Sequence, residues 1–141
     1  MTTTVLLVDD HPVVRSGLRA VLESDSVHVV GEATTGEEAV ALAAHLHPDV
    51  VLCDLHMPGG GGIAVAEAVA AQCPVVILTV SESERDVLDA VAAGAVGYLV
   101  KSARPEELRA ALVRSAVGEP VFSPQLAALL IGEYRRLATG G

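Results

Sequence analysis

Five short runs of aliphatic, mostly β-branched residues alternate along the chain with longer stretches whose apolar positions recur every three or four residues. The first run, Val5-Leu6-Leu7-Val8, ends in Asp9-Asp10 and precedes a predicted helix from about Pro12 to Glu23. Proline stands near the first turn of that helix, where its missing N–H costs nothing, and Val14, Leu18, Val21 and Leu22 fall on one face. Val27 to Val30 is the second run, followed by a helix over Gly36 to Leu46. The third run, Val50-Val51-Leu52-Cys53, is apolar throughout and stops at Asp54. Four glycines, residues 59–62, then lead into a helix from about Ile63 to Ala71. Val75-Val76-Ile77-Leu78 ends at Thr79, a helix covers about Glu84 to Ala92, and Val96 to Val100 ends at Lys101. The fifth helix starts near Pro105 and is expected to turn Leu108, Leu112 and Val113 inward.

Strict alternation of strand and helix implies parallel strands joined by right-handed crossovers, a doubly wound α/β sandwich with a five-stranded parallel sheet. Gly118-Glu119-Pro120 is a break signal, and Ser123-Pro124 has the form of an N-cap followed by proline at the first helical position. A sixth, short helix to about Leu137 would carry Leu126, Leu129, Leu130 and Leu137 on one side. The division expected is a domain over residues 1–118 and a linker with a helix over 119–141.

Composition narrows the picture. Hydrophobic residues make up 51% of the 141 residues but aromatics only 2%, so the core must be built from Val, Leu, Ile and Ala. That suits a sheet buried on both faces under alanine-rich helices. A formal net charge of −9 would repel nucleic acid and anionic membranes, so DNA binding would have to come from another segment. Cys53 and Cys73 lack metal or redox spacing and sit beside apolar runs, as buried structural thiols do. The start, MTTTVLLVDD, lacks the basic and long apolar regions of a signal peptide, and no run is long enough to span a bilayer. The expected location is cytoplasmic, with no membrane partner.

In doubly wound sheets, ligands bind at the carboxyl ends of the strands. Asp9-Asp10, Asp54, Thr79 and Lys101 each stand at such an end, and the fold brings them to one edge; the second strand, ending in Gly31-Glu32, is left outside. Any one of these residues alone is a helix cap or a turn residue. Together they have a chemistry. A hard dication such as Mg²⁺ takes one or two carboxylates while keeping waters and phosphate oxygens, and Asp9, Asp10 and Asp54 can supply them. Clustered carboxylates repel one another, which a divalent ion relieves. One carboxylate can then attack phosphorus, with the ion and an ammonium neutralising the transferring oxygens and a hydroxyl donating to one of them. The five histidines are scattered; His11 reads as a helix start that could touch the ion, His45 and His47 as helix-end residues, and His56 sits at the mouth, where it could tune loss of the phosphoryl group.

The strings VLLVDDHPVVRSGL, VVLCDLHMPGGGGI, VVILTVS and GAVGYLVKS resemble the receiver family of two-component signalling, with its flavodoxin-like fold, over residues from about 4 to 117. By this resemblance Asp54 accepts a phosphoryl group. Asp9 and Asp10 hold Mg²⁺, helped by Asp54 and the backbone carbonyl of His56, while Thr79 and Lys101 contact the phosphoryl oxygens. Tyr98, three residues before Lys101, stands where receivers carry their switch aromatic. The implied donor is a phosphohistidine on a sensor histidine kinase, and the implied readout is homodimerisation or release of an output domain. DDHPVVRSGL, GAVGYL and PEEL look most like the NarL/FixJ subfamily of transcription regulators, whose C-terminal helix-turn-helix domain binds DNA. No such domain fits after Leu137, which points to a piece cut from a longer protein rather than a natural stand-alone receiver.

Three departures stand out. The glycine run replaces a larger residue and an acid, and a freer loop costs entropy to order and would loosen the metal site. Val80 is larger than the Gly or Ala of many receivers and would crowd the mouth. Lys101 is followed by Ser102 rather than proline, which makes a cis peptide there less secure. Two rivals remain: a hydrolase turning over external phosphate esters, which would commonly need an acid where His56 stands, and an interaction module whose pocket is idle.

Overall fold

The computed structural model describes residues 2–139 apart from 58–59, 81–82, 102 and 123, with backbone only for Pro124 and Gln125. Among these described residues, six parallel strands are β1 (Thr3–Val8), β2 (Val27–Ala33), β3 (Val50–Asp54), β4 (Val75–Thr79), β5 (Gly97–Val100) and β6 (Val121–Phe122). They alternate with α1 (Pro12–Leu22), α2 (Gly36–Leu46), α3 (Gly61–Val69), α4 (Glu84–Ala92), α5 (Pro105–Ala116) and α6 (Pro124–Ala138). The five expected strands and six expected helices are thus present, and a two-residue strand, β6, is added beside β5. The Ser123 cap and the peptide at Ser102 lie outside the described residues.

Every residue of β3 and β4 is buried, and consecutive positions feed opposite faces, as the two-residue period of a strand requires. Leu6, Val8, Val51, Cys53, Val75 and Ile77 pack with Ala39, Ala43, Val65, Ala66, Val69, Val87 and Ala90 from α2, α3 and α4. Val5, Leu7, Val50, Leu52, Val76 and Leu78 face the other way, onto Leu22 of α1 and Leu108 and Leu112 of α5. The alanine-rich helices lie close because their inward side chains are small.

Strand order is β2-β1-β3-β4-β5-β6. The chain leaves β1 toward β2 and returns to place β3 on the other side of β1, so the order reverses between β1 and β3. A crevice opens at such a switch point, outside the carboxyl ends of the strands. Asp9 and Asp54 stand at those two ends.

Helix faces differ from expectation in detail. On α1 only Leu22 is buried and Leu18 half-buried; Val14 and Val21 lie on the exposed border. On α5 the inward residues are Leu108, Ala111, Leu112 and Ser115, whereas Val113 lies on the exposed border. On α6 Leu126 is buried and Leu129 and Leu130 are half-buried against the core, but Leu137 is 61% exposed. Among the described residues no helix is long and apolar enough to cross a membrane.

Candidate functional site: an acidic pocket at the strand tips

Register carries the polar residues to one place. Asp54 ends β3 opposite Leu78 of β4; Thr79 ends β4 opposite Val100 of β5; Lys101 follows Val100 directly, and its N–H donates to the Thr79 carbonyl at 2.8 Å. On the other side of β3, Val8 of β1 pairs with Cys53, so Asp9 begins where the ladder ends, level with Asp54.

Within this edge Lys101 Nζ lies 3.5 Å from Asp54 Oδ2 and 3.6 Å from Asp9 Oδ2. Asp9, Asp54 and Thr79 are buried, and Lys101 is a quarter exposed. Among the described residues the Lys101 ammonium pairs with Asp9 and Asp54 while Asp10 adds a third carboxylate to the group, which leaves these side chains with surplus negative charge. The carboxylates of Asp9, Asp10 and Asp54 and a ring nitrogen of His11 each offer a ligand atom, all within 4.8 Å of one another. Oδ1 of Asp10 is buried and accepts no hydrogen bond among the described residues, although His11 Nδ1 is 3.0 Å away. A buried carboxylate oxygen without a donor is costly, and a cation is the partner that such a donor set calls for.

His11 stands at both the helix start and the acidic group. It is the N-cap of α1, its N–H donates to Asp9 Oδ1 at 2.8 Å, and its ring nitrogen joins the acidic group. His56, just beyond β3, has an exposed side chain that is not among those grouped ligand atoms. Tyr98 is fully buried on β5, opposite Ile77 of β4, in the cluster that also holds Cys53 and Leu126. Val80 is 79% exposed at the rim beside Thr79.

Of the glycine run, Gly59 lies outside the described residues. Gly60 caps α3 in the left-handed region at φ 98°, and Gly61 and Gly62 are buried in its first turn. A Cβ on Gly61 would meet the Leu55 carbonyl oxygen at 2.1 Å, and one on Gly62 the Asp54 carbonyl oxygen at 2.8 Å. These glycines therefore let α3 press against the backbone that carries Asp54. Close approach, rather than slack, is their local role.

Burial pushes the Cys53 thiol far up, with the Asp54 and Asp9 carboxylates adding to the shift, and raises Cys73 to about 11. Both thiols are buried, as expected of structural cysteines. Sequence spacing did not reveal the support behind Asp9. The guanidinium of Arg15 donates from Nη1 to the Asp9 carbonyl oxygen and from Nε to Glu32 Oε1, each at 2.8 Å.

Comparison with known proteins agrees with this fold. The family model described as the response regulator receiver domain matches residues 5–113. The nitrate/nitrite response regulator protein NarL of Escherichia coli is 40% identical over 136 residues, covering 94% of this chain. The chain spans 63% of the length of that regulator. An uncharacterized transcriptional regulatory protein of Bacillus subtilis, YxjL, is 42% identical over 136 residues, or 94% of this chain and 62% of the relative. Among solved structures, a LuxR-family two-component response regulator from Aurantimonas superposes with a TM-score of 0.86 at 36% identity, covering 95% of this chain and 99% of that one. The signal receiver domain of the putative response regulator NarL from Mycobacterium tuberculosis gives 0.80 at 36% identity, covering 84% and 98%. With an acidic pocket at the switch point of a flavodoxin-like parallel sheet and a family match over most of its length, this chain belongs to the response regulator receiver domain family.

Proposed function

We propose that this receiver takes a phosphoryl group onto Asp54 from a phosphohistidine of a sensor histidine kinase, in a Mg²⁺-dependent reaction, and so switches an output. The observation that carries the reading is the convergence of Asp9, Asp10, Asp54 and Lys101 within one pocket. Asp9, Asp10 and Asp54, with the His56 carbonyl, would hold the ion, and the unmatched Asp10 oxygen supports a cation there. Bound Mg²⁺ supplies positive charge against the transferring oxygens.

A carboxylate oxygen of Asp54 forms the new P–O bond as the donor's P–N bond breaks and the leaving imidazole takes up a proton from water. Lys101, already 3.5 Å from Asp54, is placed to neutralise an incoming phosphoryl oxygen. The Thr79 hydroxyl donates to another. The same groups assist loss of the phosphoryl group to water, and His56 at the mouth tunes its rate. Such a domain is a switch that helps its own modification and demodification, rather than an enzyme acting on an external substrate.

The output follows from a population shift. Phosphate favours the active form only through contacts made better in that form; reversing a 1:99 equilibrium takes roughly 5.5 kcal/mol of differential stabilisation. Thr79 moving to phosphate would free space beside Tyr98, remodelling the surface around α4 and β5. Residues 1–118 are the receiver in this reading, and residues 119–141 a linker and C-terminal helix leading toward a DNA-binding output of the helix-turn-helix kind carried by NarL/FixJ regulators. Homodimerisation through the receiver is the companion readout, and the setting is the cytoplasm.

Intact mass after incubation with Mg²⁺ and a small phosphodonor tests the reading. One phosphoryl adduct is expected on the wild type and none on Asp54→Asn. Steady turnover of the donor without adduct would favour a hydrolase, and no reaction at all an idle pocket.

A further inference from the structure

Arg15 sits on the first turns of α1 and Glu32 near the end of β2, and neither belongs to the acidic pocket. Arg15 nonetheless reaches the end of β1 and bridges two acceptors, the Asp9 carbonyl oxygen and Glu32 Oε1. Its side chain is only 16% exposed, so the guanidinium has given up most of its water and depends on these partners. The other oxygen of Glu32 accepts from Arg19 Nη1, which holds the carboxylate at both ends.

Asp9 is consequently fixed at three atoms just where strand pairing stops. Its N–H donates to the Ala33 carbonyl at 3.0 Å, its Oδ1 accepts from the His11 N–H, and its carbonyl oxygen accepts from Arg15. The third contact bears on Asp10. The carbonyl of Asp9 and the nitrogen and Cα of Asp10 share one planar peptide unit. Holding that oxygen therefore sets the plane from which Asp10 is suspended.

We propose that Arg15, oriented by Glu32, is a positioning residue that fixes the Asp9–Asp10 peptide so that both carboxylates face one cation. The inference rests on the magnesium reading of the pocket. It assigns β2, which among the described residues delivers none to the pocket, a part in building it.

Electrostatics gives the inference a sign. A guanidinium repels a cation, so by loss of that Coulomb repulsion alone Arg15→Ala should bind Mg²⁺ more tightly. Loss of a positioning contact weakens binding instead, and partners behind metal ligands are commonly worth about tenfold or more in affinity. Titration calorimetry of the 141-residue protein with MgCl₂ separates the two. Arg15→Ala is expected to raise the Kd on the order of tenfold, and Glu32→Ala to raise it by less. The double variant should bind no worse than Arg15→Ala, because the two residues act through one contact. Arg15→Lys should fall between wild type and Arg15→Ala, since one ammonium cannot span both acceptors as the planar fork does. Thermal unfolding of each variant shows whether it is folded; should Arg15→Ala fail to fold, Arg15→Lys and Glu32→Ala decide. Equal or tighter binding by Arg15→Ala, or wild-type binding by Arg15→Lys and Glu32→Ala, overturns the inference while the magnesium reading stands. Absence of any Mg²⁺ heat in the wild type that Asp10→Asn removes would overturn that reading, and the inference with it.

Discussion

Lys101 Nζ lies almost equidistant from Asp54 Oδ2 and Asp9 Oδ2, at 3.5 and 3.6 Å. The ammonium thus ties the two strand ends that flank the switch point, although Lys101 itself leaves a third strand, β5. A residue so placed both competes with a cation for the carboxylates and stands ready to meet an anion arriving at Asp54.

These two parts predict opposite effects of Lys101→Ala. Phosphodonor modification of Asp54 should slow by about a hundredfold, the scale on which one preorganised charge-stabilising donor acts. Mg²⁺ affinity should stay the same or rise, because a competing cation has gone. Parallel rate and calorimetric titrations check both arms. A variant modified as fast as wild type would remove Lys101 from the reaction.

Much of this arrangement is legible in the sequence because polar residues terminate apolar runs. Asp54, Thr79 and Lys101 mark strand ends that the structure places at the residues expected or within one of them, and α2 and α4 have the expected bounds. The missed features are those that local pattern does not encode. β6 is two residues long and follows a break signal, too short to show a period. Val14, Val21 and Val113 obey helical spacing, yet they lie at the border of their stripes, each 37–38% exposed, because periodicity does not say where a stripe meets the sheet. Arg15 and Glu32 are 17 residues apart and belong to different elements, so only the folded chain brings them to Asp9.

The glycines of α3 yield a stability prediction. A Cβ at Gly62 would lie 2.8 Å from both the Asp54 carbonyl oxygen and Ile77 Cδ1, and one at Gly61 would clash with the Leu55 carbonyl at a φ of +62°. Gly62→Ala should cost about 1–3 kcal/mol through overpacking, and Gly61→Ala at least as much. Gly17, exposed within α1 and with nothing within 4 Å of its Cβ position, is the control. Gly17→Ala should stabilise by roughly 0.5–1 kcal/mol. Urea unfolding of the three variants checks the order, and equal stabilities would show that α3 does not press on Asp54.

Docking of α6 predicts a contrast along one helix. Leu126 is 3% exposed in the same cluster as Tyr98, whereas Leu137 is 61% exposed. Leu126→Ala should destabilise by about 2–5 kcal/mol, as buried leucine truncations do. Leu137→Ala should stay within roughly 0.5 kcal/mol of wild type. Comparable small effects at both positions, measured by thermal unfolding, would mean that α6 does not contribute to the core in solution.

Acid should loosen the β2 side of the molecule. Glu32 titrates below the ordinary glutamate value of 4.5, chiefly because Arg19 donates to it and secondarily because Arg15 does, while partial burial opposes the shift. Glu23 is lowered as well, chiefly by the Val29 N–H that it accepts. A carboxyl held low binds fewer protons folded than unfolded, so its contribution to stability is complete above about 4.5 and is lost as pH falls through the folded value. Below that value the Glu32 carboxyl is protonated in both states, and Glu32→Gln should then match wild type. Above pH 5.5 the variant should be less stable, by under about 1 kcal/mol, because a partly exposed ion pair is screened by solvent. Melting temperatures from pH 3 to 7 should therefore converge at the acid end and separate toward neutrality. Curves that run parallel over the whole range would remove Glu32 ionisation from the stability of this edge, and with it the charge that orients Arg15 toward Asp9.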